Sequence, residues 1–169
     1  TKLIFLANAN NPTGTFIPKE EVIRLHKSIP SNIILVYDAA YSEFIINSDY
    51  IDGSNLVDKY DNVIMLRTFS KLHGLASLRL GWGYCSEYIL SNLMKVRGPF
   101  SVNTAAILAG IAAIEDIEFQ KKSVSHNLKW MGWFEKELEA LNLDYQTSVT
   151  NFLLIKFPND PLKSAQNAE

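Results

Sequence analysis

The chain has 169 residues, of which 47% are hydrophobic, so it is long and apolar enough for one domain, or for one domain and part of another. A formal net charge of -2 gives no electrostatic footprint for nucleic acid. The single cysteine, Cys85, excludes an internal disulfide and favours a reducing, cytoplasmic location. The histidines are far apart in sequence, so we expect no metal centre, and no apolar run is long enough to cross a bilayer.

The first half of the chain alternates strand-like and helix-like segments. Residues 2–7 are an apolar run before the turn-forming letters NANNPTG, which predicts a buried strand followed by a loop. Residues 18–29 predict an amphipathic helix that starts at a proline. Continuous apolar runs at 32–41 and 62–71 predict further strands, and a lack of alternation is typical of a parallel sheet. Residues 78–85 predict another strand, with glycines where a neighbour can approach closely.

The second half has mainly helical patterns. We predict helices over residues 86–96, 103–116 and 117–141, and the second is expected to be buried because it is apolar nearly all round. Two short strand-like runs follow. The predicted fold class is α/β, with a three-layer, mostly parallel sheet domain and the start of a small α/β domain. The predicted divisions are part of the large domain, a connecting helix and the start of the small domain, at residues 1–116, 117–141 and 142–169.

Polar and charged side chains cluster where the predicted strands end, which is where ligands bind in such sheets. A lysine in a site of low dielectric is a nucleophile toward aldehydes, and hydroxyls with an arginine suit a phosphate. A carboxylate suits a basic ring nitrogen, while a tyrosine and an asparagine can donate to a phenolic oxygen. Together these groups match pyridoxal phosphate. The candidates are Lys71 for the aldehyde, Thr68, Ser70 and Arg79 for the phosphate, Asp38 for the ring nitrogen, and Tyr41 and Asn11 for the phenolic oxygen.

Several stretches of the chain carry a resemblance to a known family. They are NNPTG (10–14), DAAYSEF (38–44), TFSKLHGLASLRLGW (68–82), RGPFSVN (97–103) and SVTNFLLIKFP (148–158). In this order they resemble the class I/II aminotransferases of fold type I, which depend on pyridoxal phosphate. The finer pattern is similar to the histidinol-phosphate branch of that family. The resemblance runs over almost the whole chain.

The resemblance implies a role for each candidate. Lys71 would be the Schiff-base lysine, which also moves the proton at the substrate Cα, and Asp38 would pair with the pyridine nitrogen. Tyr41 and Asn11 would bond the phenolic oxygen of the ring. The other three candidates would form part of the phosphate cup: Thr68, Ser70 and Arg79.

Other groups of the family fall outside the sequence. In the family, a glycine-rich phosphate loop and an aromatic residue that stacks on the ring lie upstream of the position of Thr1, and an arginine for the substrate carboxylate lies beyond Glu169. We therefore expect an internal piece of a longer protein, inactive by itself and homodimeric when full length. Within the sequence, Ala9 stands where the family usually has proline, and Ser77 where glycine is common.

The implied reaction interconverts histidinol phosphate and 2-oxoglutarate with imidazole acetol phosphate and glutamate, in histidine biosynthesis. The expected partners are an amino donor and a 2-oxo acid, with no nucleic acid and no membrane. A threonine-phosphate decarboxylase or a broad aromatic aminotransferase of the same fold is an alternative, as is a non-catalytic truncated chain. Taken alone, Asp38 would be interpreted as a helix cap for AAYSEF (39–44), and Arg79 as part of a surface ion pair, although its position in an apolar strand argues against the latter.

Overall fold

The computed structural model describes residues 1–157, so the end of the predicted small domain, 158–169, lies outside the described residues. The described part contains strands, helices and two short 3-10 turns, Ser42–Phe44 and Ala76–Leu78. The strands are β1 (Leu3–Ala7), β2 (Ile34–Asp38), β3 (Val63–Thr68), β4 (Gly81–Cys85), β5 (Asp144–Gln146) and β6 (Leu154–Lys156). The helices are α1 (Lys19–Ser28), α2 (Ser54–Val57), α3 (Glu87–Val96), α4 (Thr104–Glu115) and α5 (Ile117–Ala140).

Strands β1 to β4 form one sheet in chain order, with β1, β2 and β3 parallel and β4 antiparallel to β3. The mostly parallel sheet is therefore confirmed. Glycines let β4 approach its neighbour closely, as the sequence predicts. A Cβ on Gly81 would lie 2.9 Å from the Arg67 carbonyl oxygen, and one on Gly83 would lie 3.3 Å from Leu66 Cδ2.

Helices cover both faces of this sheet, which makes three layers. On one face, Val22 of α1 and Leu56 of α2 pack against Leu35, Tyr37 and Met65. On the other face, Ile89 of α3 packs against Val36 of β2 and Ile64 of β3. Burying each of these large apolar side chains contributes about 1.5–3 kcal/mol. The continuous apolar runs of β2 and β3 follow from this two-sided burial.

Two predictions of burial are wrong for the described part of the chain. Helix α4 buries only Ala106 and Gly110, and its Leu108 is 64% exposed. Its apolar sequence favours burial, but the described elements bury only these two small residues of the helix. Strand β1 lies at the edge of the described sheet rather than within it, and one of its faces is uncovered by the described residues, so Phe5 is 72% exposed.

The last elements form the predicted long helix and strand pair. The Asp116 carboxylate accepts a hydrogen bond from Phe119 N at 2.9 Å and caps the start of α5. Strands β5 and β6 pair antiparallel in a separate two-stranded sheet. The division into domains at 116 and 141 stays a prediction. No helix among residues 1–157 is both long and apolar enough to cross a membrane.

The loop after β1 contacts the segment between β5 and β6 through Gly14. Val149 N donates to the Gly14 carbonyl at 2.9 Å. Gly14 has φ +71, and a Cβ there would lie 2.2 Å from Ser148 Oγ and 3.2 Å from Ser148 Cα. Only glycine tolerates both the positive φ and this close approach.

Gly14→Ala is therefore expected to lower the free energy of unfolding by about 2–4 kcal/mol, from backbone strain and overpacking together. Gly74→Ala is the matched control, because Gly74 has φ +67 but a Cβ there meets nothing within 4 Å. Its loss should be confined to backbone strain, about 1–2 kcal/mol. Urea unfolding of both variants measures the difference. Equal losses of unfolding free energy in the two variants would show that the close contact with Ser148 does not contribute to the effect of Gly14→Ala.

Candidate active site

The register of the parallel strands brings three chain segments to one edge of the sheet. Ala7, Asp38 and Leu66 lie side by side in neighbouring strands. The ladder continues past the strand ends, where Asn8 N donates to the Asp38 carbonyl and Ala39 N to the Leu66 carbonyl, both at 3.0 Å. Because the strands are parallel, the loops that follow them leave at the same edge and meet.

A cavity of about 490 Å³ lies where these loops meet. All seven residues predicted from the sequence line it: Asn11, Asp38, Tyr41, Thr68, Ser70, Lys71 and Arg79. Small or apolar residues make up most of the remaining wall: Ala7, Ala9, Ala40, Leu66 and Ala76. The structure therefore brings the predicted residues together in a pocket of ordinary ligand size.

The loop after β3 fixes the position of Lys71. Phe69 and Leu72 are each only 5% exposed and anchor the chain on either side of the lysine. Leu75 N donates to the Phe69 carbonyl at 3.0 Å, which closes the loop on itself. Lys71 Nζ lies 5.2 Å from the ring centroid of Tyr41, a cation–π distance.

Other predicted residues make hydrogen bonds that shape the site. Asn11 Nδ2 donates to Tyr41 Oη at 3.2 Å. Asp38 Oδ1 accepts from Ala40 N at 3.1 Å, and Thr68 Oγ1 accepts from Ser70 N at 3.0 Å. Asp38 is therefore not a helix cap, since Tyr41 is the N-cap of the 3-10 turn Ser42–Phe44; one of its carboxylate oxygens instead accepts from Ala40 N in the turn after β2. A carboxylate has two oxygens with several acceptor positions, so this turn bond and ligand binding are compatible.

The predicted location of Arg79 within a strand is wrong. The 3-10 turn Ala76–Leu78 precedes it, Arg79 has φ 55, and β4 begins only at Gly81. The apolar letters LRL do not extend the strand because the chain reverses at Arg79 in the left-handed conformation. Its Nη1 donates to the Ala76 carbonyl at 2.7 Å. This bond uses one of the five guanidinium N–H groups, so Arg79 keeps donors for a ligand at the cavity wall.

An ion-pair cluster beside the site was missed from the sequence. Arg67 pairs with Glu43 at 2.9 Å and with Asp52 at 3.1 Å, and its guanidinium carbon lies 5.8 Å from the Trp82 ring centroid. Glu43 follows Tyr41 by two residues, so the pair ties the Tyr41 turn to β3. The sequence signals this cluster only by placing a charged residue, Arg67, inside the apolar run of β3, and that signal does not identify the residues with which Arg67 pairs.

A buried hydrogen-bond network around Asn8 was also missed. Asn8 is fully buried, and its Nδ2 donates to Tyr37 Oη at 2.6 Å while its Oδ1 accepts from Ile17 N at 2.7 Å. Tyr37 Oη donates to the Ile51 carbonyl, and Tyr50 Oη donates to the Asn8 carbonyl. The network fixes both ends of the loop that carries Asn11. Three asparagines stand in NANNPTG, and the letters alone do not show which one is buried.

This network predicts sensitivity to alkaline pH. Burial raises the pKa of Tyr37 to about 12, and burial also raises the pKa of Tyr50. Above pH 10 the unfolded chain loses the Tyr37 proton while the folded chain keeps it, so stability is full below pH 10 and falls as pH rises toward 12. For Tyr37 the loss is about 3 kcal/mol. Unfolding free energies measured from pH 9 to 12 should show this slope, and Tyr37→Phe should flatten it. An unchanged slope in that variant would assign the alkaline loss to other groups.

The described residues contain no group of three or more histidine, cysteine, aspartate or glutamate side chains placed to hold a metal ion. The polar side chains that line the cavity supply one amine, two guanidinium groups (Arg67 and Arg79), one carboxylate, one amide and three hydroxyl groups. Such a set suits an organic ligand that carries a phosphate and an aldehyde.

Known proteins resemble this chain over its whole described length. The family model described as aminotransferase class I and II matches residues 1–167. Histidinol-phosphate aminotransferases from Maricaulis maris and Paramagnetospirillum magneticum are 52% and 47% identical over all 169 residues. The chain spans about half the length of the curated relatives it matches, since it covers 47% of each.

A solved structure resembles the fold as well. The crystal structure of histidinol-phosphate aminotransferase from Sinorhizobium meliloti, in complex with pyridoxal-5'-phosphate, matches with a TM-score of 0.86 at 30% identity. The match covers 94% of this chain and 43% of that one. Since the family model extends over almost the entire sequence, the chain belongs to the aminotransferase class I and II family.

Proposed function

We propose that the complete gene product with these residues is a pyridoxal-phosphate-dependent aminotransferase that acts on histidinol phosphate and 2-oxoglutarate, in histidine biosynthesis. One observation carries the proposal: the seven candidate residues line a single cavity, with the Lys71 amine beside the Tyr41 ring. The names of the relatives that are about half identical support the choice of substrate. The pyridoxal-5'-phosphate of the Sinorhizobium meliloti structure supports the choice of cofactor.

The residues present fit that cofactor. Ser70, Thr68 and Arg79 supply two hydroxyls and a guanidinium for a phosphate, and Arg79 already lies at the cavity wall with free donor capacity. Asp38 supplies a carboxylate for a ring nitrogen, and its register neighbours, Ala7 and Leu66, are apolar. An apolar surrounding strengthens the attraction between this carboxylate and a cationic nitrogen. Once bound, the group supplies an electron sink for charge that develops at the substrate Cα.

The chain's own residues would divide the work. The Lys71 amine would hold the cofactor's aldehyde carbon and would move the proton at the substrate Cα. Asp38 would keep a proton on the ring nitrogen, because a nearby negative charge favours the cationic form. Tyr41 and Asn11, which already hydrogen-bond each other, would hold the phenolic oxygen. The ion pair between Arg67 and Glu43 would keep the Tyr41 turn in place.

We further propose that the complete gene product works as a homodimer in the cytoplasm. The resemblance to the family supports the dimer, and the apolar face of α4 offers side chains for contacts beyond the described residues. The division into a large domain, a connecting helix and a small domain is proposed on the same resemblance, with the separate β5–β6 sheet in its support.

Glutamate formation by the complete gene product, saturated with pyridoxal phosphate, tests this function. The amino donors compared are histidinol phosphate, threonine phosphate and phenylalanine, each with 2-oxoglutarate. The proposal predicts the highest kcat/KM with histidinol phosphate. Carbon dioxide release from threonine phosphate would indicate a decarboxylase, and a preference for phenylalanine would indicate an aromatic aminotransferase. Cofactor binding without turnover of any donor would indicate a non-catalytic protein.

A further inference from the structure

Phe152, which lies shortly before β6, contacts the site without lining the cavity. The rings of Phe152 and Tyr41 have centroids 5.3 Å apart at an angle of 76°, an edge contact. Tyr41 is only 6% exposed, so its ring has little space for another orientation. Phe152 also packs beside Phe44 and Leu72, which flank the Tyr41 and Lys71 segments.

The segment that carries Phe152 is fixed at two places. We call residues 148–152 the anchor segment. The Thr150 carbonyl accepts from Asn127 Nδ2 of α5 at 3.0 Å, and Thr150 is 1% exposed. Val149 N donates to the carbonyl of Gly14, in the loop that also carries Asn11. The anchor segment therefore holds Phe152 in a defined position relative to both α5 and that loop.

We propose that Phe152 is a positioning residue for Tyr41 and, through Tyr41, for the Lys71 amine; the inference rests on the proposed function. Tyr41 Oη meets Asn11 Nδ2 at 3.2 Å only while the ring keeps its orientation. The same orientation presents the ring to Lys71 Nζ at 5.2 Å. The edge of Phe152 opposes rotation of this ring, because rotation would bring the two rings into steric conflict. Without the Phe152 ring edge, the Tyr41 hydroxyl and the Lys71 amine would no longer be held in fixed positions relative to each other.

The first measurement uses the cofactor-free complete gene product. Lysines are labelled with trinitrobenzenesulfonate, and the rate at each lysine is read by peptide mass spectrometry. Phe152→Leu is expected to raise the rate at Lys71 by about two- to fivefold, the value of a lost cation–π contact. Lys19 and Lys59, which line a different cavity, should keep their rates. Phe152→Tyr keeps the ring edge and should label like the wild type.

The matched control is Phe134→Leu, because Phe134 makes a similar edge contact with Trp133, at 5.1 Å and 70°, within α5. This control should leave the rate at Lys71 unchanged. If Phe152→Leu does not fold, Phe152→Met replaces it, since methionine keeps the volume and loses the ring edge. An unchanged rate at Lys71, or an equal rise at every lysine, would overturn the proposal.

The second measurement follows the visible absorption band of the protein loaded with pyridoxal phosphate as a function of pH. Donors to the phenolic oxygen stabilise its anion, so a displaced Tyr41 should move the band's midpoint to higher pH. Phe152→Leu should show this shift, whereas Phe152→Tyr and Phe134→Leu should not. If the wild type has no band, the proposed function fails. A wild-type band with an unshifted midpoint in Phe152→Leu would refute only the role of Phe152.

Discussion

Lys71→Ala is expected to lower the transamination rate of the complete gene product by about 10⁴-fold or more. Under the proposed function two contributions would be lost together: the amine that would hold the cofactor aldehyde and the base that would move the proton at the substrate Cα. Alanine also leaves the loop in place, because its anchors are Phe69 and Leu72 rather than the lysine. Glutamate formation with histidinol phosphate and 2-oxoglutarate measures the effect.

Lys95→Ala is a suitable control for that variant. Lys95 lies on α3, is exposed, and among residues 1–157 its amine bonds only its helix neighbour Asn92, at 3.0 Å. Its loss should leave both turnover and cofactor binding unchanged. A Lys71→Ala protein that kept a tenth of the wild-type rate would remove this lysine from the chemistry. The shared cavity would then be a binding site whose reactive amine lies elsewhere.

Asp38→Asn is expected to bind the cofactor and to lose about 10²- to 10³-fold in kcat, the usual cost of one missing electrostatic contact at a reacting group. The amide oxygen of asparagine can still accept from Ala40 N, so the turn after β2 should persist. What disappears is the negative charge that, under the proposed function, would keep a proton on the ring nitrogen. Steady-state kinetics and thermal unfolding of the same preparation separate the two effects.

The control here is Asp49→Asn, which removes one exposed carboxylate away from the cavity. It should change neither kcat nor the unfolding temperature. If Asp38→Asn turned over at a near-normal rate, the hydrogen bond to Ala40 N would be the whole role of Asp38. Lower stability with normal kcat would lead to the same conclusion.

Much of the candidate site could be predicted from the sequence because parallel strands all end at the same edge of their sheet. Asp38 ends one apolar run, and Lys71 follows another closely. Parallel strands then carry these ends to one edge, and the register places Asp38 between Ala7 and Leu66. The apolar runs of β2 and β3 are continuous because both faces are covered, which is a local signal of a long-range arrangement.

The remaining features depend on contacts between distant parts of the chain. Arg79 lies in apolar letters that look like a strand, but its left-handed conformation delays the start of β4 to Gly81. The burial of α4 depends on what lies against it, which its own pattern does not contain. The partners of Arg67 and the contact of Phe152 with Tyr41 join residues far apart in sequence. No local pattern encodes such pairs.

The most direct test of the proposed chemistry is chemical trapping of the cofactor on the complete gene product. The protein is loaded with pyridoxal phosphate, reduced with borohydride and digested, and the peptides are mapped by mass spectrometry. Reduction makes the bond between a lysine amine and the cofactor aldehyde permanent, so the labelled residue identifies the attachment site. The expected result is a pyridoxyl group on Lys71 alone. A label on another lysine, such as Lys122 in the neighbouring cavity, or no label at all, would contradict the assignment.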